Sequence, residues 1–226
     1  DEIQKPRLAL RNFYGAVRVL DVGAADLGGV RELYHGSTNH GAQRLRPEWA
    51  MDALTYYCAQ SGAGLALVHH HAERPRRIGI VGLGVGTLAA WGKAGDQLRY
   101  YEINPLIEKI AREQFSFLKN TPATVTVVLG DARLSLAAEE PNRFDVLVVD
   151  AFSSDAIPLH LITREAFGLY FRHLAADGIL AVHISNRYLN LGPVVAAGAA
   201  AFGRAAELVE NFDTIEIGSY CFKTRW

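Results

Sequence analysis

The stretch Ile78-Gly79-Ile80-Val81-Gly82-Leu83-Gly84-Val85-Gly86-Thr87 decides the fold. Ile78 to Val81 suits a buried strand, Gly82 to Gly86 forms a glycine-spaced turn, and a helix is expected from Thr87 to Lys93. In that arrangement a nucleotide can approach the backbone where the first N–H groups of a helix lack partners. Alone the turn is a weak signal, since a merely tight strand-to-helix connection also favours glycine.

Working outward, strands and helices alternate. Leu98–Glu102 reads as a strand, Pro105–Phe117 as a helix, Val125–Leu129 as a strand and Ala132–Ala138 as a helix. Strand Phe144–Val149, helix Thr163–Leu174, strand Ile179–Ile184 and helix Pro193–Val209 follow, then strand-like stretches at Thr214–Ile217 and Tyr220–Lys223. Such alternation predicts an α/β, Rossmann-type parallel sheet with helices on both faces. Upstream, Leu54–Val68 looks helical and His69–Arg77 is a polar connection. Ala16–Val22 and Val30–Tyr34 alternate apolar and polar residues around turn signals, which predicts a small β-hairpin region over residues 1–53 before a nucleotide-binding domain over 54–226.

Composition narrows the function. The chain has 226 residues, half of them apolar, and a formal charge of −1 without a basic block, so nucleic-acid binding is not expected and a small-molecule site is. No apolar run is long enough to span a bilayer. Cys58 and Cys221 are too few for a disulfide framework and lack metal-site spacing, so both are expected to be buried thiols in a reducing, cytoplasmic setting. The chain begins at Asp1 without a signal-peptide pattern, which suits a piece of a longer protein.

Three acidic positions carry the chemistry. Glu102 ends the second strand about twenty residues after the glycine turn, where a carboxylate can accept both ribose hydroxyls. Asp131, in Gly130-Asp131-Ala132, follows the third strand and either accepts a hydrogen bond from an adenine amino group or caps the next helix. Asp150 ends the fourth strand and is followed by Ala151-Phe152-Ser153-Ser154-Asp155. Ligands of open α/β sheets lie beyond the carboxyl ends of the strands, so Asp150 and Asp155 are expected near the reactive end of a nucleotide. There they can take a proton or stabilise a cation. Otherwise Asp150 is a strand-end residue with Ser154 or Asp155 capping a turn.

Together, Gly82 to Thr87, Glu102-Ile103-Asn104, Gly130-Asp131-Ala132 and Val149-Asp150 with Asp155 resemble the spermidine synthase family of aminopropyltransferases. In that family an amine attacks the carbon beside the sulfonium of decarboxylated S-adenosylmethionine, and methylthioadenosine leaves. The resemblance implies that Asp150 is the base and Asp155 its partner. It gives nucleotide contacts to Gln43, Gly82, Gly84, Gly86, Glu102, Asp131 and Ala132, and places Tyr56 and Tyr57 near the acceptor channel. It further implies a homodimer and no metal. The sequence also resembles the soluble domain that some bacterial members carry fused to a multi-spanning membrane region, which implies a place at the cytoplasmic face.

Three departures bear on the substrate. The family's acidic glycine-loop residue, which grips the aminopropyl amine, is Val85 here, and its Tyr-His-Glu element is Tyr56-Tyr57-Cys58. Asp150 and Asp155 also stand two residues further apart than in the family's Asp-Ser-Ser-Asp arrangement. A pocket without these carboxylates is expected to admit intact S-adenosylmethionine, for methyl transfer or for internal cleavage to methylthioadenosine and a lactone. A non-catalytic nucleotide sensor is the remaining alternative. His69-His70-His71 is expected to be solvated, His183 to be a satisfied core histidine or a pocket wall, and Trp91 to be core.

Overall fold

A computed structural model describes residues 5–24, 28–152, 157–186, 189–212 and 220–226. Five parallel strands form the main sheet: β5 (Arg77–Val81), β6 (Gln97–Glu102), β7 (Thr124–Leu129), β8 (Phe144–Val149) and β9 (Leu174–Val182), in the spatial order β7-β6-β5-β8-β9. The chain moves outward from β5 through β6 to β7, then returns to β8 on the other side of β5. The crevice between β5 and β8 is thus the switch point of the sheet, where open α/β folds bind ligands.

Side-chain alternation covers both faces. Ile78, Ile80, Leu98, Tyr100, Val146 and Val148 point to one core, where α1 (Gly62–His69) and α2 (Pro105–Gln114) pack through Leu67 and Ile110. Tyr101, Leu147 and Val149 point to the other, with Leu136 of α4 (Ala132–Ala138) and Phe167 of α5 (Arg164–His173). Short α3 (Phe117–Asn120) precedes β7, and α6 (Gly192–Ala200) lies beyond β9.

The N-terminal region is larger than the expected hairpin. It is a four-stranded antiparallel meander of β1 (Leu8–Asn12), β2 (Gly15–Val22), β3 (Val30–His35) and β4 (Thr38–Arg44). The first strand escaped notice because its residues Ala9, Leu10 and Arg11 are exposed. Val17, Val19 and Leu33 join the same core as Ile78 and Ile80, so the meander is packed onto the nucleotide-fold domain. Arg31 reinforces this by donating to the Gln114 carbonyl at 2.8 Å.

Several expected helices are shorter. Leu54 to Ser61 is not helical: Thr55 adopts a positive φ of 59° and its backbone pairs with Cys221, and the helix starts only where Ser61 accepts from Gly64 N–H. Thr87–Trp91 is a 3-10 turn entered through left-handed Gly86. The helix expected to reach Val209 stops at Ala200, just before Gly203 at φ 65°. Tyr220–Lys223 makes an isolated bridge at Cys221 in place of a strand, and Thr214–Ile217 lies outside the described residues. Among the described residues no helix is long and apolar enough to cross a membrane.

Candidate functional site

One side of the candidate site is assembled by backbone geometry at strand ends. After Val81 the chain turns through Gly82 at φ 96° and Gly84 at φ 54°, conformations that suit glycine. A side chain at Gly82 would collide with the Asp150 carbonyl, and one at Gly84 would come within 2.6 Å of the His40 carbonyl. These glycines thus keep the switch-point crevice open. Glu102, at the end of neighbouring β6, accepts from Leu83 N–H at 2.9 Å and from Asn104 N–H at 2.8 Å. Burial pushes its carboxyl pKa above the ordinary 4.5, against the lowering effect of those backbone donors. Each carboxylate oxygen keeps a lone pair for a further donor.

Asp131 follows β7 and caps α4, accepting from Leu134 N–H at 2.9 Å, while its other oxygen lies 3.0 Å from His160 Nε2. Capping is realised, and the carboxylate still faces the crevice. Gly82, Gly84, Glu102, Asp131, Ala132 and Asp150 all line one cavity of about 140 Å³. Gly86 does not: it serves the chain reversal, and a side chain there would strike Leu118.

Gln43 requires a correction. It is 6% exposed and lines neither this cavity nor its neighbour. Its amide donates to the Ala50 carbonyl and to Ser116 Oγ, both at 2.8 Å, and accepts from Ser116 N–H at 3.1 Å. Gln43 therefore ties β4 to the start of α3. Val85 also differs from expectation. It is 1% exposed and packs towards Gly41 inside the core shared with the meander, so it does not face a cofactor arm.

A second cavity of about 500 Å³ adjoins the first, and Asp150, Gly84, His40 and Phe152 line both. Asp150 stands one residue past β8 and His183 one residue past β9. The register pairs Val149 with Val182, which sets the two side chains next to each other. His183 Nδ1 lies 2.6 Å from Asp150 Oδ1, and Tyr57 O–H donates to Oδ2 at 2.5 Å. His183 Nε2 is 2.8 Å from Ser185 Oγ, which accepts the Arg225 N–H at 2.8 Å. The Asp150 carboxylate accepts from His183 Nδ1–H, while Ser185 Oγ, which also lies 3.4 Å from the Arg225 carbonyl, meets Nε2 on the other side of the ring. Trp226 stacks on the imidazole at 4.4 Å, interplanar angle 12°. Burial, then the Asp150 charge, raise the Tyr57 pKa well above its ordinary value, so Tyr57 remains a donor.

Tyr56 also lines this cavity, packed edge-on to Phe222 at 5.1 Å. Asp155 lies outside the described residues. The structure thus brings Tyr56 and Tyr57 to Asp150, places His183 in the pocket wall, one of its two expected places, and adds Ser185, Lys223 and Arg225, which the sequence does not single out. For His183 the sequence offered one usable signal, a polar residue in an apolar strand at the level of Asp150.

The cysteines are the third correction. Cys58 and Cys221 form a disulfide, with Cα atoms 6.0 Å apart, and so they are not free thiols. The bridge pins residues 220–226 beside Tyr56 and Tyr57. The expectation of a reducing setting rested on free thiols and loses that support. The histidine run is only partly solvated: His71 Nε2 meets Asp177 at 2.8 Å, and His70, His71 and Asp177 bring ligand-type atoms within 4.8 Å of one another.

Comparisons with known proteins bear on the fold. A stretch of 112 residues, 47% of the chain, is 32% identical to a polyamine aminopropyltransferase of Vibrio vulnificus and spans 37% of that protein. A stretch of the same length is 31% identical to an N-terminal histidine N-methyltransferase of Emericella nidulans, spanning 19% of it. A spermidine synthase structure in complex with the transition-state analogue AdoDATO superposes with a TM-score of 0.70 at 15% identity, over 98% of this chain and 72% of that one. The fold is that of spermidine synthases. The chain spans well under half the length of either sequence relative. No family model matches it.

Proposed function

We propose that the chain is an alkyl transferase of the aminopropyltransferase type, using S-adenosylmethionine or its decarboxylated form and releasing methylthioadenosine. The observation that carries this reading is the meeting of two cavities at Asp150, one holding the buried Glu102 carboxylate and the glycine turn, the other large enough for a second reactant. Glu102 accepts the ribose hydroxyls and Asp131 faces the adenine. The sulfonium then lies near Asp150. An acceptor amine in the larger cavity attacks the carbon beside sulfur, the carbon–sulfur bond breaks, and methylthioadenosine leaves with the bonding pair. Asp150 takes the proton that the amine loses, and the imidazole bonded to its Oδ1 stabilises the carboxylate beforehand.

A reaction of intact S-adenosylmethionine is the second reading, favoured by Lys223 and Arg225 on the acceptor side. Calorimetric titration with methylthioadenosine, S-adenosylmethionine and the decarboxylated form, with product analysis, tests the proposal. Binding of methylthioadenosine, and its release from one of the two sulfonium compounds, are expected. A folded protein that binds none of the three refutes it.

A further inference from the structure

We infer that the larger cavity binds a carboxylate through Lys223 and Arg225, so that the molecule entering it is of the amino-acid class and not a polyamine. This rests on the adenosyl reading above and deepens it.

The argument begins with charge. Among the described residues lining the cavity, Asp150 is the only carboxylate, and Lys223 and Arg225 carry fixed positive charge. A diamine entering there would bring two ammonium groups beside Lys223 and Arg225, with one carboxylate among the described lining residues to receive them. Desolvating an ammonium without a counter-charge is costly, and like charges brought together add to the cost.

The two cations also share a neighbour. Lys223 Nζ and the Arg225 guanidinium both approach the ring of Phe212, at 5.8 and 5.4 Å from its centroid. Glu210 Oε1, 2.6 Å from Arg225 Nε, balances one charge, and Glu210 is not part of the cavity wall. Among the described residues no carboxylate forms an ion pair with Lys223. The Lys223 charge is thus not balanced by an ion pair among the described residues, and it stands beside neutral polar side chains such as Ser37, Asn39 and Ser185. An ammonium directed at a carboxylate and a guanidinium fork together suit a ligand carboxylate. The Cys58–Cys221 bridge keeps this cationic segment against the Tyr56-Tyr57 wall.

The carboxylate has two possible sources, the methionyl arm of intact S-adenosylmethionine or a separate acceptor. Two matched pairs distinguish them: S-adenosylmethionine against its decarboxylated form, and 4-aminobutyrate against putrescine on protein saturated with methylthioadenosine. Calorimetry on the wild type and on Lys223→Met, an exposed position whose change leaves the core untouched, reads both. In the pair that supplies the carboxylate, the wild type is expected to favour the carboxylate-bearing member by about tenfold, and Lys223→Met to remove most of that preference. Methylthioadenosine affinity should stay within about twofold, since that ligand carries no arm into the cavity. Preference for the decarboxylated cofactor and for putrescine, or no preference in either pair, overturns the inference and leaves the adenosyl reading standing. Failure of methylthioadenosine to bind sinks the adenosyl reading instead, and the inference with it. A preference that survives in Lys223→Met and in Arg225→Met shows that other groups hold the carboxylate, and that also overturns the assignment.

Discussion

Breaking the Cys58–Cys221 bridge is expected to cost several kcal/mol and to loosen the acceptor wall before the sheet unfolds. The cysteines are 163 residues apart in sequence, so the bridge closes most of the chain into one loop in the unfolded state. Loop-closure entropy for that length is about 17 cal/mol/K, which corresponds to roughly 5 kcal/mol at 25 °C. Residual structure in the reduced, unfolded chain lowers this, and measured values of roughly 2–4 kcal/mol are usual. Locally, reduction leaves the backbone bonds from Thr55 N–H to Tyr220 at 2.7 Å and from Phe222 N–H to Thr55 at 2.8 Å. The segment should therefore stay docked but open more often. Urea unfolding of the oxidised protein, the thiol-reduced protein and the Cys58→Ser/Cys221→Ser variant measures the cost, and alkylation with mass analysis counts free thiols. Two free thiols in protein purified without reductant, or one urea midpoint for all three forms, would refute the reasoning.

Asp150→Asn keeps the shape and removes the charge that Tyr57 and His183 surround, so the rate of methylthioadenosine release is expected to fall by roughly 10²–10⁴-fold, with methylthioadenosine affinity little changed; a variant retaining most of the wild-type rate excludes the role of base. Glu102→Ala should weaken methylthioadenosine binding by about 1.5–3 kcal/mol. Only the ionised Glu102 carboxylate accepts from both ribose hydroxyls, and burial raises its pKa, so affinity in the wild type should fall with acidification starting above the ordinary 4.5; a calorimetric series that is flat down to pH 4.5 contradicts this. Asp96→Asn leaves the Arg76 guanidinium, 0% exposed and 2.7 Å from Asp96, without its counter-charge, and should cost about 3–5 kcal/mol in urea unfolding. Burial alone would raise the Asp96 pKa, but the hydrogen bond from Arg76 and the backbone donors outweigh it and hold the pKa below 3.8. The stability from this carboxylate is thus present above pH 3.8, and is lost as pH falls through the lowered native value.

The cavity proposed for adenosine was legible as a meeting of residues because it is written in contiguous motifs. A strand, a glycine turn and an acidic residue at the next strand end fix their own relative positions, so Gly82, Gly84, Glu102 and Asp131 met in one cavity as their spacing implied. Gln43 was not legible: its placement came from a family resemblance, and here its amide is spent on Ser116 and Ala50. Val85 shows the same limit. Its position in the glycine turn suggested a side chain towards the cofactor, while the meander packed over that turn drew it into the core against Gly41.

The cavity proposed for the acceptor was illegible for a different reason, because its wall is drawn from stretches far apart in sequence: Tyr56 and Tyr57, Asp150, His183 and Ser185, and Lys223 and Arg225. Tyr57, Asp150, His183 and Arg225 meet through the β8–β9 register, the bond from Ile184 N–H to the Arg225 carbonyl at 2.9 Å, and the disulfide. A shift of one residue in that register would place Ile184 beside Asp150 and turn His183 to the opposite face of the sheet. Since the nucleotide motifs do not depend on these long-range contacts, the acceptor wall can change its charge without disturbing the adenosine cavity. Lys223 and Arg225 reach that wall from the C-terminal segment, and the Cys58–Cys221 bridge anchors this segment beside Tyr57, so the cations depend on a covalent link that the nucleotide motifs do not share.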